Sequence, residues 1–209
     1  MSFTYIHEPE EIYRRSFEIV RSEADLNRLP AAMQAVATRL IHSCGMTDIV
    51  EDLAFSQGAA EAGLEALRLG CRIYCDVEMV RWGIIERTLP ADNVLVCTLN
   101  DPQTAPHALE IGNTRSAAAV DQWHDLEGAV VVIGNAPTAL FRLLENIQEG
   151  AGKPSLVIGM PVGFVGAVES KQALAEFEPE LPYITVHGRR GGSAMASSVV
   201  NALAGLCSR

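Results

Sequence analysis

Three Gly-rich turns, one histidine and one serine carry most of the polar chemistry this sequence offers. The stretch VVVIGNAPTAL (130–140) ends a β-branched run at Gly134 and opens an apolar-periodic segment behind Pro137. Such a junction reads as strand, tight turn and helix start. The first helical N–H groups there are unpaired and hold anions. Asn135 and Thr138 add polar side chains to the same turn. Arg115 in GNTRSAAA and Arg189 with Arg190 in GRRGGSAMA also sit in Gly-rich turns entering helices. Guanidinium and N–H groups converge on carboxylates at such places. Gly192 and Ser193 complete the second of those turns.

The glycines do not spell a dinucleotide fingerprint. GAGKPS (150–155) mimics the end of a P-loop, but Pro154 follows the Lys and the first Gly of the motif is missing. The turns therefore predict an anion other than a nucleotide. GMPVGFVGA (159–167) is apolar and suits the wall of a flat ligand.

His42 falls in the last turn of a predicted helix, two residues after Leu40. Helical winding places it away from the apolar stripe. It reads either as a surface histidine favoured by the helix dipole or as an acid/base group that the same dipole keeps protonated. Ser16 faces the apolar side of its helix, one turn from Ile12 and from Val20. Its hydroxyl either bonds back to its own helix or turns into a pocket. Arg14 and Arg15 on the same helix read as solvated cations. Cys71 and Cys75, with Cys44 and His42, hint at zinc, but a C-x3-C pattern inside an apolar strand reads as buried thiols, and no metal is expected.

The chain of 209 residues is long enough for one domain with a substantial core, residues 1–209 in all. It is 48% hydrophobic and 6% aromatic, as expected of buried strands between helices. A net charge of −10 argues against a nucleic-acid surface. No apolar run reaches membrane-spanning length, the N-terminus lacks a signal-peptide pattern, and five cysteines read as reduced thiols. A cytoplasmic protein is expected.

Helical periodicity marks residues 8–24, 29–44 and 55–70. Five β-rich runs follow: RIYCDV, NVLVCTL, AVVVIG, SLVIG and YITVHG. Helical patterns separate them at 78–86, 114–124, 138–149 and 165–177, and a last one covers 193–206. The prediction is an α/β fold: a single doubly wound domain with a mostly parallel sheet of five or more strands, helices on both faces and a helical N-terminal region. Ligands bind beyond the carboxyl ends of such strands, where the Gly-rich turns fall. The last segment has no charge from Ser193 to Leu206, so it must be packed on most sides, within the subunit or against a second copy. A C2 homodimer is expected.

YRRSFEIVRSEAD, RLIHSCGM, CDVEMVRWGI, GNTRSAAA, VIGNAPTALFRLLE, GMPVGFVGAVESK and GRRGGSAMA…NAL occur in that order. Together they resemble the precorrin-8X methylmutase family of cobalamin (vitamin B12) synthesis, from about Ile12 to Leu203. The resemblance implies an isomerase that moves a methyl group from ring carbon 11 to carbon 12 of precorrin-8X, giving hydrogenobyrinic acid. It implies no cofactor and a homodimer that binds the macrocycle near the subunit interface. The family's proton donor/acceptor histidine falls on His42 and its substrate-contacting serine on Ser16. Arg115, Asn135, Thr138, Arg189, Gly192 and Ser193 become candidates for the acetate and propionate arms. Cobalt-precorrin-8 methylmutases of the anaerobic route share these motifs. A non-catalytic tetrapyrrole carrier is the alternative from another class.

Overall fold

The computed structural model describes residues 3–177 and 181–207. Among them α1 (Pro9–Glu23) and α2 (Ala31–Cys44) precede a short edge strand β1 (Leu53–Phe55) and α3 (Ala59–Leu69). Then β2 (Arg72–Cys75), α4 (Glu78–Gly83), β3 (Val94–Val96), α5 (Thr104–Glu110) and α6 (Arg115–Val120) follow. The rest alternates: β4 (Val130–Ile133), α7 (Pro137–Gln148), β5 (Leu156–Gly159), α8 (Ala167–Phe177), β6 (Tyr183–Val186) and α9 (Ser193–Cys207).

The six strands lie in the order β1-β6-β5-β4-β2-β3. All five strands expected from sequence are present and mutually parallel, while β1 joins antiparallel with Leu53 opposite Val186. After β3 the chain crosses back to the other side of β2, so the topological switch point lies between β2 and β4. Crevices for ligands form at such points.

Alternation along β4 divides the core. Val130 and Val132 enter one apolar cluster with α2, α3 and α9, whereas Val131 and Ile133 enter a second with α7. All four residues are buried, as expected of a strand covered on both faces.

The charge-free α9 is explained within the chain. It packs on α2, α3 and α4, and every residue from Met195 to Ala204 is buried. Its burial therefore gives no argument for a subunit contact. Asn201 is satisfied there, accepting from the N–H of Ile85 at 2.8 Å and donating to the carbonyl of Gly83 at 2.9 Å.

Several boundaries differ from the sequence expectation. Phe55 belongs to β1, not to a helix. Three residues are too few to show strand alternation. α5 has no counterpart among the helical patterns of the sequence, because seven residues with Pro106 inside them are too short to show a helical period. α4 stops at Gly83 rather than 86, α6 at Val120 rather than 124, and α8 starts at Ala167 rather than 165. Pro30 precedes the first residue of α2 instead of lying in its first turn.

Candidate active site

Helix α1 presents Tyr13, Ser16 and Phe17 on one face, at the i, i+3, i+4 spacing of helical neighbours. That face meets the end of α2, which Gly45 closes in a left-handed conformation at φ +70°. Ser16 Oγ lies 2.7 Å from His42 Nδ1. The Tyr13 and Phe17 rings each sit 5.3 Å from the imidazole centroid, the second edge-on. His42 is thus half-buried in an aromatic corner, not on the open surface that helical winding suggested. Its pKa lies below the ordinary 6.5, because burial disfavours the imidazolium and the Arg39 cation adds repulsion. Burial overrides the helix dipole, which was expected to favour the protonated form. Ser16 turns into a pocket and does not bond back to its helix. The cleft beside the pair holds about 360 Å³ between Ile12, Arg15, Ile19, Ile41 and Thr47.

The turn after β4 holds an anion, but one supplied by the chain. Asp76, at the end of β2, is fully buried. Its carboxylate accepts from the N–H groups of Gly134, Asn135 and Ala136, each at 2.9 Å. Burial raises the Asp76 pKa and the three N–H bonds oppose the rise. These N–H groups are therefore not open to a ligand carboxylate, contrary to the expectation for this turn. The Asn135 side chain is exposed. Thr138 Oγ1 lies 2.8 Å from Thr114 Oγ1, and Thr114 caps α6 by accepting from Ala117 N–H at 3.1 Å. Arg115 is exposed, with one guanidinium nitrogen donating to the Leu99 carbonyl at 3.0 Å and to Asn100 Oδ1 at 3.1 Å.

The loop after β6 abuts this turn. A Cβ on Gly134 would come within 2.8 Å of Ser193 Cα, so the close approach requires glycine. Ser193 is buried at the start of α9, and Gly192 N–H donates to the Met160 carbonyl at 2.9 Å. Arg189 is exposed over the Phe164 ring at 5.3 Å. Arg190 instead pairs with Asp48 at 2.7 Å and Asp52 at 2.5 Å. Those acids follow His42 in the chain, so Arg190 ties this loop to the histidine segment.

The candidates thus form three groups. Ser16 and His42 share one cleft, Arg115, Asn135 and Thr138 lie on the turns that enter α6 and α7 and that Thr114 and Thr138 join, and Arg189, Gly192 and Ser193 share the loop after β6. Sequence reasoning gave no role to Tyr13 or Phe17, although their spacing from Ser16 was legible. Asp76, just past the end of β2, fills the turn from a segment 58 residues away.

A family model described as precorrin-8X methylmutase matches residues 11–206. The chain belongs to the precorrin-8X methylmutase family. It is 55% identical over 201 residues to a precorrin-8X methylmutase of Pseudomonas aeruginosa, covering 96% of this chain and 97% of the relative. A precorrin-8X methylmutase of a Sinorhizobium species is 50% identical over 203 residues, covering 97% of each. A cobalt-precorrin-8 methylmutase of Salmonella typhimurium is 39% identical, covering 95% of this chain and 96% of the relative. The solved precorrin-8x methyl mutase of Thermus thermophilus superposes with a TM-score of 0.84 at 38% identity, covering 95% of this chain and 96% of that one.

Proposed function

We propose that this chain is the isomerase that moves the methyl group of precorrin-8X from ring carbon 11 to carbon 12, giving hydrogenobyrinic acid. The observation that carries the reading is the Ser16–His42 pair at 2.7 Å beside an apolar cleft. A 1,5-sigmatropic methyl shift is unimolecular. It requires the reactive tautomer of the conjugated ring, a fixed conformation and a group that moves one proton. With Nδ1 engaged by Ser16, Nε2 of His42 is the nitrogen available to the ring. A neutral imidazole at pH 7, favoured by burial, can take a proton or return one. The relatives named for the metal-free substrate, at 50 and 55% identity, stand nearer than the cobalt-precorrin relative at 39%, so precorrin-8X is the favoured substrate over its cobalt form. A carrier would have no use for a half-buried histidine held by serine.

Substrate contacts are assigned to Ser16, Arg115, Asn135, Thr138, Arg189, Gly192 and Ser193, with His42 as the proton donor/acceptor. The working form is a homodimer with the site near the subunit contact. A cleft of about 360 Å³ is near the lower end of pockets for drug-sized ligands, and a tetrapyrrole macrocycle is larger than those ligands. Ile12, Tyr13 and Ile19 beside that cleft are all exposed in the single chain. No helix of the described residues is long and apolar enough to cross a membrane. The five unpaired cysteines suit a cytoplasmic location.

The test is a visible spectrum recorded as the protein mixes with precorrin-8X, since migration changes the conjugation of the chromophore. An unchanged spectrum would remove the isomerase reading. Sedimentation at micromolar protein tests the dimer, and a fully active monomer would overturn it.

A further inference from the structure

We propose that Arg15 is the cation that receives a carboxylate arm of the macrocycle at the mouth of the His42 cleft. The inference rests on the function proposed above, because it takes the ligand to be a polycarboxylate.

Arg14 and Arg15 are neighbours on α1 with opposite fates. Arg14 grips both oxygens of Glu11, at 2.7 and 2.5 Å, and Glu18 at 2.5 Å. Glu11 and Glu18 are also the acids four residues before and three after Arg15, its own helical partners by spacing. Arg14 has already engaged them. Among the described residues, no side-chain hydrogen bond or ion pair within 4 Å involves the Arg15 guanidinium, and Arg15 lines the cleft with Ser16 and His42.

Charge makes that position informative. The chain carries a net charge of −10, so its general field repels a polycarboxylate. Arms must be met by local cations that are not already neutralised. Arg190 and Arg142 are neutralised by paired acids. In the cleft, Glu23 is the acid among the lining residues, two helical turns beyond Arg15, and most of the remaining wall is apolar. An incoming carboxylate is thus drawn to the Arg15 end and repelled from the other. A guanidinium can grip it with two parallel N–H···O bonds, which fixes orientation as well as position. One arm anchored next to Ser16 holds the macrocycle in the cleft beside His42.

The test uses the full chain, with hydrogenobyrinic acid as the binding probe and precorrin-8X for turnover. Arg15→Gln is expected to raise Kd and KM roughly tenfold to a hundredfold, the effect of losing a charge-assisted hydrogen bond, with kcat near wild type. Arg14→Gln frees Glu11 and Glu18 to pair with Arg15, so it should also weaken binding, though by less than Arg15→Gln. Added salt should weaken wild-type binding more than that of Arg15→Gln. Equal Kd for wild type and Arg15→Gln would overturn the proposal. So would a loss of affinity accompanied by loss of the dimer in sedimentation, which would place Arg15 at the subunit contact. A wild-type protein that binds hydrogenobyrinic acid without converting precorrin-8X would count against the isomerase reading alone, since the binding comparison still decides Arg15.

Discussion

Ser16 Oγ and His42 Nδ1 meet at 2.7 Å, a contact between side chains 26 residues apart on two different helices. The bond fixes which imidazole nitrogen faces inward and which is left for the ligand. If the hydroxyl donates, Nε2 carries the proton, and if the hydroxyl accepts, Nε2 is the base. Either way a single proton is exchanged at Nε2.

His42→Ala should therefore lower methyl migration by about 10²–10⁴-fold, the usual contribution of a general acid–base group, while hydrogenobyrinic acid still binds. Ser16→Ala removes the hydrogen bond that orients the imidazole, worth about 1 kcal/mol and roughly tenfold or less in kcat, and with it a substrate contact that should show as a raised Kd for hydrogenobyrinic acid. Turnover and product binding on the same preparations check both. Near-normal turnover in His42→Ala would take the histidine out of the mechanism.

The pH dependence follows from the causes of the His42 shift. Burial lowers its pKa below 6.5 and Arg39 lowers it further. The imidazole is therefore mostly neutral at pH 7 and charges only as the pH falls through the lowered value. Stability contributed by this group is present above 6.5 and is lost on that same descent, because the unfolded chain takes up the proton first. Arg39→Gln removes the repulsion, so the acid limb of kcat/KM should move to higher pH. A limb that stays in place would mean that another group titrates there.

Asp76 should behave as part of the fold more than as part of the chemistry. Asp76→Ala leaves the N–H groups of Gly134 and Ala136, both buried, without an acceptor, at about 1–3 kcal/mol each. A loss of roughly 2–5 kcal/mol in urea or thermal unfolding is expected. Asp76→Asn should recover part of it, since one amide oxygen can still accept from Asn135 and Ala136 while its NH₂ faces Gly134. Asp76→Ala with wild-type stability would mean that water replaces the carboxylate.

What sequence could and could not supply follows the range of the interactions. The five parallel strands were legible because buried strands are continuous apolar runs such as VVVI (130–133). The three residues of β1 carry no such signal, and their pairing with β6 is a tertiary fact. The candidate residues were legible as types in Gly-rich turns. Their partners were not, because the contacts bridge distant segments: Asp76 to the turn at 134–136, Arg190 to Asp48 and Asp52, Ser16 to His42. His42 shows the limit most plainly. Its own helix pattern put it on the outside, and only the packing of α1 encloses it.

Lys171 gives the last prediction. It lies on α8 with no exposed surface, and its ammonium donates to the Arg190 carbonyl at 2.7 Å. Burial pushes its pKa from 10.5 down to about 8, against a smaller opposing pull from Asp52. Between those two values the unfolded chain holds a proton that the folded chain has released. Stability from this group is therefore complete above 10.5 and is lost as pH falls through 8. Cys71 and Cys97, pushed up to about 11, act in the opposite direction over nearly the same range, so the wild-type curve alone would not isolate the lysine. Comparison with Lys171→Met does, because the thiols are common to both proteins. The stability of wild type minus that of Lys171→Met should rise by roughly 2–3 kcal/mol from pH 8 to 10.5. Denaturant unfolding at a series of pH values measures it, and a flat difference would mean that the ammonium keeps its ordinary pKa in the folded chain.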